Sequence, residues 1–265
     1  MNIYTNEEVL EELKLEAGQV FFRSSFEFVN ATNCWRPEKI HLFLSTTGGG
    51  KSTLVRTILL DMLGNVNKKI GLYLSEETEK EFYTELAFSG YTDIKDFERV
   101  TIFSEQELEK SPTAQGTLIN MKMLVDEHDI DILLVDNVTT LDSYEASLKN
   151  KTTITKGLKK LASISSIPIV VIAHTDAKFK QGQIDPNDIR GSKTLVNESH
   201  FIYALQPIVK SNGQRNFIAV KKDRGQPVKN KYFELFYYAQ RRIFGKDEIV
   251  SFETFKEAFN SRDKL

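Results

Sequence analysis

The sequence predicts an α/β protein: a mostly parallel, twisted sheet with helices on both faces and an antiparallel extension at its C-terminal end. Three observations predict it. Strand-length runs that are apolar nearly throughout, such as Ile40–Leu44, Ile130–Val135 (apart from Asp131) and Ile167–Ala173, alternate with helix-length amphipathic stretches. Strands with no polar face belong in a parallel sheet covered on both sides. A glycine-rich loop joins the first of these strands to a helix, and from His200 onward strand-like runs follow one another across turn signals with no helix between them.

The elements follow in order. Glu7–Leu15 alternates acids with Val9, Leu10, Leu13 and Leu15 and reads as a short amphipathic helix ended by Gly18. Val20–Pro37, rich in aromatics (Phe26, Phe28 and Trp35 among them), reads as an irregular lead-in. Strand Ile40–Leu44, loop Ser45–Gly50 and helix Ser52–Leu63 come next. The alternation repeats as strand Lys69–Leu74, helix Thr78–Ser89, short strand Val100–Phe103 and helix Thr117–Glu127, which carries Leu118, Met121, Leu124 and Val125 on one face. Strand Ile130–Val135, helix Lys151–Ile164 and strand Ile167–Ala173 complete it. The extension is Phe201–Leu205, Phe217–Lys221, Tyr232–Tyr238 and Arg242–Phe244, turned by Ser211-Asn212-Gly213, Arg224-Gly225 and Ala239-Gln240. Phe252–Phe259 reads as a closing helix. The expected organisation is one domain over residues 38–246, with a lead-in at 1–37 and a short helical tail at 247–265.

A chain of 265 residues buries a core without disulfide or metal staples. Lys+Arg 35 against Asp+Glu 37 gives a net charge of −2, which excludes a polycation and an acidic solvating tail but not a local basic site. Cys34, the single cysteine, rules out an internal disulfide and a multi-cysteine zinc site, as suits a reducing compartment. The acidic start lacks the layout of a secretory signal, and the longest apolar runs fall far short of the ~20 residues that span a bilayer. The expectation is a soluble protein with no membrane partner.

Thr47-Gly48-Gly49-Gly50-Lys51-Ser52-Thr53, between an apolar strand and a helix, has the context of a phosphate-binding loop. Glycines let backbone N–H groups curl around phosphates at a positive helix terminus. Lys51 adds a point charge, and the Ser52 hydroxyl can hold Mg²⁺. The first glycine of G-x-x-x-x-G-K-[ST] is Ser45 here, a position that ends the strand and does not line the cradle closely. The competing reading is a glycine-rich turn before a helix.

Ile132–Asp136 is a buried strand ending in a carboxylate, where a Walker B aspartate grips Mg²⁺ through its waters; a strand-end helix cap would look the same. The strand ending at Leu74 runs into Ser75-Glu76-Glu77. If it lies between the phosphate-loop and Asp136 strands in space, Glu76 can poise a water against the γ-phosphate as general base. The alternative is a helix N-terminus attracting the acids Glu76, Glu77 and Glu79. His174 ends the next apolar strand at the sheet's C-terminal edge, where ligands of open α/β sheets bind, and can hydrogen-bond the γ-phosphate; a plain polar residue is the alternative.

Together these residues resemble one family, the RecA-fold motor domain of DnaB-like hexameric replicative DNA helicases, phage ones included. The resemblance runs from about Ile40 to Phe244 and rests on TTGGGKST, LYLSEET, ILLVDN, IVVIAH, DIRGSKTLVNESHFIYAL and AVKKDRG, in that order. It implies a RecA-like P-loop NTPase using ATP and Mg²⁺, with Glu76 as catalytic base and His174 as γ-phosphate sensor. It further implies that Lys222 and Arg224 reach the neighbouring subunit's ATP, the arginine as finger; from the residues alone they form an exposed basic turn. A hexameric ring, single-stranded DNA, a primase, loader or other replication protein as partner, and a bacterial or phage-infected host cytosol are implied with it.

In the family, loops after the Asp136 and His174 strands line a DNA channel. Here Lys149 to Lys180 holds seven lysines against the single acid Asp176. Lysines supply sequence-independent, salt-sensitive binding to phosphates. Lys178 and Lys180, flanking Phe179, are the candidates, and Arg190 is a DNA contact or a coupling residue; Lys156, Lys159 and Lys160 read as the solvated face of a helix. Two departures stand out. Only about 35 residues precede the motor, so no primase or N-terminal helicase domain is expected, and the glycine-rich lead-in is replaced by Asn33-Cys34-Trp35-Arg36-Pro37. By the same resemblance, the helix Glu7–Leu15 is expected to be what remains of the linker helix that family members dock on a neighbouring subunit. The rival readings are a RecA/RadA-type recombinase or recombination mediator, a regulatory RecA-like ATPase with no nucleic-acid role, and a small-molecule P-loop kinase.

Overall fold

A computed structural model of the chain describes residues 24–32, 35–46, 48–65, 68–89, 97–175, 184–186, 189, 193–210, 213–224 and 228–261. The helix expected over Glu7–Leu15 lies outside them. The described chain starts with helix α1 (Glu27–Ala31), strand β1 (Ile40–Ser45), helix α2 (Lys51–Asn65), strand β2 (Ile70–Leu74) and helix α3 (Glu79–Phe88). Strand β3 (Val100–Ser104), helix α4 (Ala114–Glu127), strand β4 (Ile132–Asp136), helices α5 (Asp142–Glu145) and α6 (Leu148–Ile164), and strand β5 (Ile169–His174) follow. The last part is helix α7 (Lys193–Glu198), strands β6 (Phe201–Lys210), β7 (Gly213–Asp223), β8 (Tyr232–Tyr238) and β9 (Ile243–Val250), and helix α8 (Phe252–Asn260).

All nine strands join one sheet in the order β3-β2-β4-β5-β1-β6-β7-β8-β9. The first six in that order pair in parallel, and β6 to β9 pair antiparallel, as the change in texture after His200 predicts. The arrangement on which the reading of Glu76 is conditioned is not the one found. β2 does not stand between β1 and β4; β4 and β5 stand between β2 and β1. Sequence order does not set spatial order in a parallel sheet, because each crossover helix can carry the chain past a neighbour.

The two faces carry separate cores. On one, Leu54, Val55, Ile58 and Leu59 of α2 pack with Phe43, Leu72 and Phe82. On the other, α4 and α6 bury Met121, Leu124, Leu158 and Leu161 against Leu42, Leu133 and Val171. The lead-in is more ordered than its pattern suggests: Phe26, Phe28 and Trp35 belong to the first core. Its short helix is fastened from a distance, with Asp247 of β9 accepting from the backbone N–H groups of Glu27 (2.7 Å) and Phe28 (2.8 Å). Asp61 of α2 accepts from Ser24 Oγ (2.5 Å) and Ser25 N (2.7 Å).

Local chemistry accounts for the helix starts that the apolar pattern placed late. Thr113 Oγ1 accepts from Gly116 N (3.1 Å) and begins α4 at Ala114, and Ser147 Oγ accepts from Asn150 N (3.1 Å) and begins α6 at Leu148. β6 and β7 are longer than their apolar stretches, paired from Phe201↔Asp223 to Lys210↔Gly213. β9 runs through the expected boundary at residue 246, and α8 packs Phe255 on Phe217 and Tyr232. No helix among the described residues is long and apolar enough to cross a membrane.

Candidate active site

β1 is buried along its length and delivers the chain to the glycine loop at the sheet's C-terminal edge. Gly48 and Gly50 adopt φ of +72° and +84°, a region where side chains are strained. At Gly49 a Cβ would lie 2.2 Å from Ser45 Oγ and 2.9 Å from the Thr46 carbonyl oxygen. The loop is closed by Gly49 N donating to Thr46 O (3.0 Å), and α2 starts at Lys51, so its first N–H groups face the loop. Lys51 is 9% exposed, and burial pulls its ammonium below the usual lysine range while Asp136 and Glu76 oppose the shift. Ser52 is exposed and Thr53 half-buried. Thr47 lies outside the described residues.

The tips of β2, β4 and β5 meet beside this loop through one polar network. His174 Nε2 and Asn137 Nδ2 both approach Glu76 Oε1, at 3.3 and 3.4 Å. Asn137 Oδ1 accepts from Thr139 N (2.9 Å) and Thr139 Oγ1 (2.6 Å), and Thr139 Oγ1 accepts from His174 N (3.0 Å). Ser75 Oγ bridges Asn137 N and O, each at 3.0 Å. Glu76 is thereby oriented by groups from two other strands, although β4 separates its own strand from that of His174.

The electrostatics divide the carboxylates. The hydrogen bond from His174, with help from Thr140 and the Lys51 charge, holds Glu76 below the usual carboxylate range despite some burial. Asp136 is pushed up to about 7 by burial and by the Glu77 and Glu76 charges, with Lys51 and Arg56 pulling the other way. No hydrogen bond to the Asp136 carboxylate is made among the described side chains. A glycine loop with positive φ at Gly48 and Gly50 and no room for a Cβ at Gly49, a buried ammonium beside it and a carboxylate left to other ligands fit a polyphosphate with a divalent cation.

Lys222 and Arg224 are elsewhere. Lys222 pairs with Ile202 and Asp223 with Phe201, which pairs with His41 near the start of β1. Arg224 N donates to His200 O (3.2 Å) and His200 N to Ile40 O (3.0 Å). The arginine therefore sits level with the opposite end of β1 from the phosphate loop, about 16 Å of strand away.

No family model matches the sequence, and no curated protein does. Among solved structures the chain is similar to one described as an ATPase domain, with a TM-score of 0.73 and 14% identity, covering 93% of this chain and 100% of that one. It is also similar to a DnaB-like replicative helicase whose structure was described with its interactions with primase, with a TM-score of 0.71 and 16% identity, covering 94% of this chain and 68% of that one. The chain has the RecA-like P-loop NTPase fold.

In this RecA-like fold Lys51, Glu76, Asp136 and His174 come together at one sheet edge, and Lys222 and Arg224 do not join them. Lys178, Lys180 and Arg190 lie outside the described residues. Sequence reasoning missed Asn137, Thr139 and Thr140, whose side chains bond to residues at the ends of other strands. It also missed Arg56, 7% exposed within α2, whose charge reaches Glu77 and Asp136. Asn137 directly follows Asp136, and a polar residue continuing an apolar strand was the available signal. Phe244 of β9 is a further neighbour, its ring 3.8 Å from where a Cβ on Gly50 would stand.

Proposed function

We propose that the chain is the ATP-hydrolysing motor subunit of a ring-shaped DNA helicase of the DnaB-like replicative type, acting on single-stranded DNA in the cytosol. One observation carries the reading. The groups suited to binding and hydrolysing ATP gather at one edge of the sheet, and the two cations suited to stabilising the transferring phosphoryl group stand at the opposite edge. An arginine side chain does not reach across that span, which supports reading Lys222 and Arg224 as groups that act on the ATP of another subunit. A closed ring, a hexamer in the family the sequence resembles, satisfies every site. The similarity in fold to a solved ATPase domain and to a DnaB-like replicative helicase supports the same reading.

Within each site Thr47 to Gly50 supply backbone N–H groups to the phosphates, Lys51 and the start of α2 add positive charge, and Thr53 completes the first turn. Ser52 and Asp136 would hold Mg²⁺, which would supply positive charge to offset that on the phosphate oxygens. Glu76, kept ionised by His174, takes the proton of the attacking water. His174, bonded to the same carboxylate, is placed to register loss of the γ-phosphate. Arg224 and Lys222 of the adjoining subunit stabilise the developing charge. Lys178, Lys180 and Arg190 contact the DNA backbone, and a primase, loader or other replication protein is the expected partner.

The test is the ATPase rate with and without single-stranded DNA, paired with unwinding of a forked duplex at stated salt. Stimulation by DNA and strand separation are expected, with Glu76→Gln reducing turnover by at least 100-fold, as on the order of 10²–10⁴ is usual for a general base. An ATPase indifferent to single-stranded DNA would sink the helicase reading, and full activity in Glu76→Gln would remove the base.

A further inference from the structure

The two cations assigned to a neighbour's phosphate are gripped by their own chain. Lys222 Nζ donates to the carbonyls of Val196 (2.7 Å) and Asn197 (3.0 Å). Arg224 donates through Nη2 to the same Asn197 carbonyl. Both carbonyls belong to the last turn of α7, where helix carbonyls lack intrahelical partners and carry negative partial charge. An ammonium has three donors and a guanidinium five. Among the described residues, one Lys222 proton and most of the Arg224 fork remain outside this grip. The pair is oriented without being used up.

That last turn is in turn held from α6. Glu198, the final residue of α7, accepts from Lys159 Nζ at 2.6 Å. The Lys159 bond, with the Arg224 and Lys156 charges beyond it, keeps the Glu198 carboxyl below the usual carboxylate range. An acid at a helix C-terminus opposes the helix dipole, so α7 by itself does not favour Glu198. The surrounding cations do. Leu195 anchors the helix in the core, and Ser199 closes its end by donating through N (3.0 Å) and Oγ (2.6 Å) to the Leu195 carbonyl.

Positive charge exceeds negative in this corner: Lys156, Lys159, Lys222 and Arg224 surround one carboxylate. Burial pulls Lys222 down to about 8, Arg224 and Lys159 push the same way, and Glu198 opposes them. Such a cluster is suited to an anion supplied from outside.

We propose that Glu198, tied to Lys159, is a positioning residue for hydrolysis in trans: it fixes the last turn of α7 so that its carbonyls aim Lys222 and Arg224 at the adjoining subunit's phosphates. The role rests on the reading of those two cations as groups that act on a neighbour. It makes α7 the bracket of the finger, and the finger motif contains neither Glu198 nor Lys159.

The test uses full-length subunits mixed in the presence of ATP, Mg²⁺ and single-stranded DNA. Lys51→Ala subunits keep the finger and lose the phosphate-loop charge, and Arg224→Ala subunits do the reverse. Their mixture recovers ATPase activity at sites built from one of each. Adding Glu198→Gln to the Lys51→Ala subunits should cut that recovery at least fivefold through kcat, with KM for ATP unchanged. Adding it to the Arg224→Ala subunits should have no effect, because no finger is left there to aim. A general loss of folding or assembly would not show this asymmetry. No recovery in the simple mixture overturns the finger reading and the positioning role together. Equal recovery with and without Glu198→Gln on the finger-bearing subunit leaves the finger standing and overturns the positioning role. If Glu198→Gln fails to fold, Lys159→Met removes the same ion pair from α6 and is expected to give the same one-sided loss; recovery undiminished by it overturns the role equally.

Discussion

At Gly49 an added Cβ would lie 2.2 Å from Ser45 Oγ and 2.9 Å from a backbone oxygen, and no rotamer relieves the second contact. Gly49→Ala therefore distorts the cradle while leaving the buried strand and helix beside it intact. Nucleotide affinity is expected to fall at least tenfold, about 1.4 kcal/mol, in a fluorescent-nucleotide titration, with melting little changed. Residues of this kind were legible in the sequence because their requirement is local: glycine for the turn, a lysine where the helix begins, a carboxylate where a strand ends. Asn137 was not legible in the same way. Its amide bonds Glu76, which is 61 positions away, and nothing in the neighbouring sequence announces that partner.

At the scale of elements, apolar periodicity located the strands and the longer helices, and capping chemistry set where those helices begin. The lead-in shows the limit of periodicity. A five-residue helix is too short to be stable alone, and α1 exists because Asp247, on a strand more than 200 positions later, takes its first N–H groups. Removing that carboxylate strands two N–H groups at the start of α1. Asp247→Ala should cost about 1–3 kcal/mol, measured by urea unfolding, and should loosen 24–32 first in hydrogen exchange. The same tertiary dependence explains α7, which is short and polar and was not read as a helix. Its end is satisfied by Lys222 and Arg224, and its last carboxylate by Lys159.

For the molecule as a whole, the separation of the two charge groups is the consequential feature. A site completed by a neighbour inherits the titration of that neighbour's cations. Lys222, pulled down to about 8, is charged below that pH and neutral above it. In the assembled oligomer kcat/KM should consequently fall as pH rises through 8, by up to about tenfold per unit if the ammonium is required. Lys222→Arg should flatten that limb, since a guanidinium stays charged. A profile unchanged by Lys222→Arg would remove the lysine from the trans site.

The sequence by itself determined the α/β class, the glycine loop between strand and helix, the polar ends of the strands and the shift to antiparallel pairing after His200. These follow from side-chain period, glycine geometry and the absence of room for a helix, all of which are local. Tertiary structure alone decided that β4 and β5 separate β2 from β1, that Glu76 meets His174 across the tip of β4, and that Lys222 and Arg224 face away from their own phosphate loop. The physical reason is that a strand buried on both faces carries no mark of its neighbours. Their order is fixed by long-range pairing and crossover packing, and that order determines which charges meet at one edge of the sheet and which stand at the other.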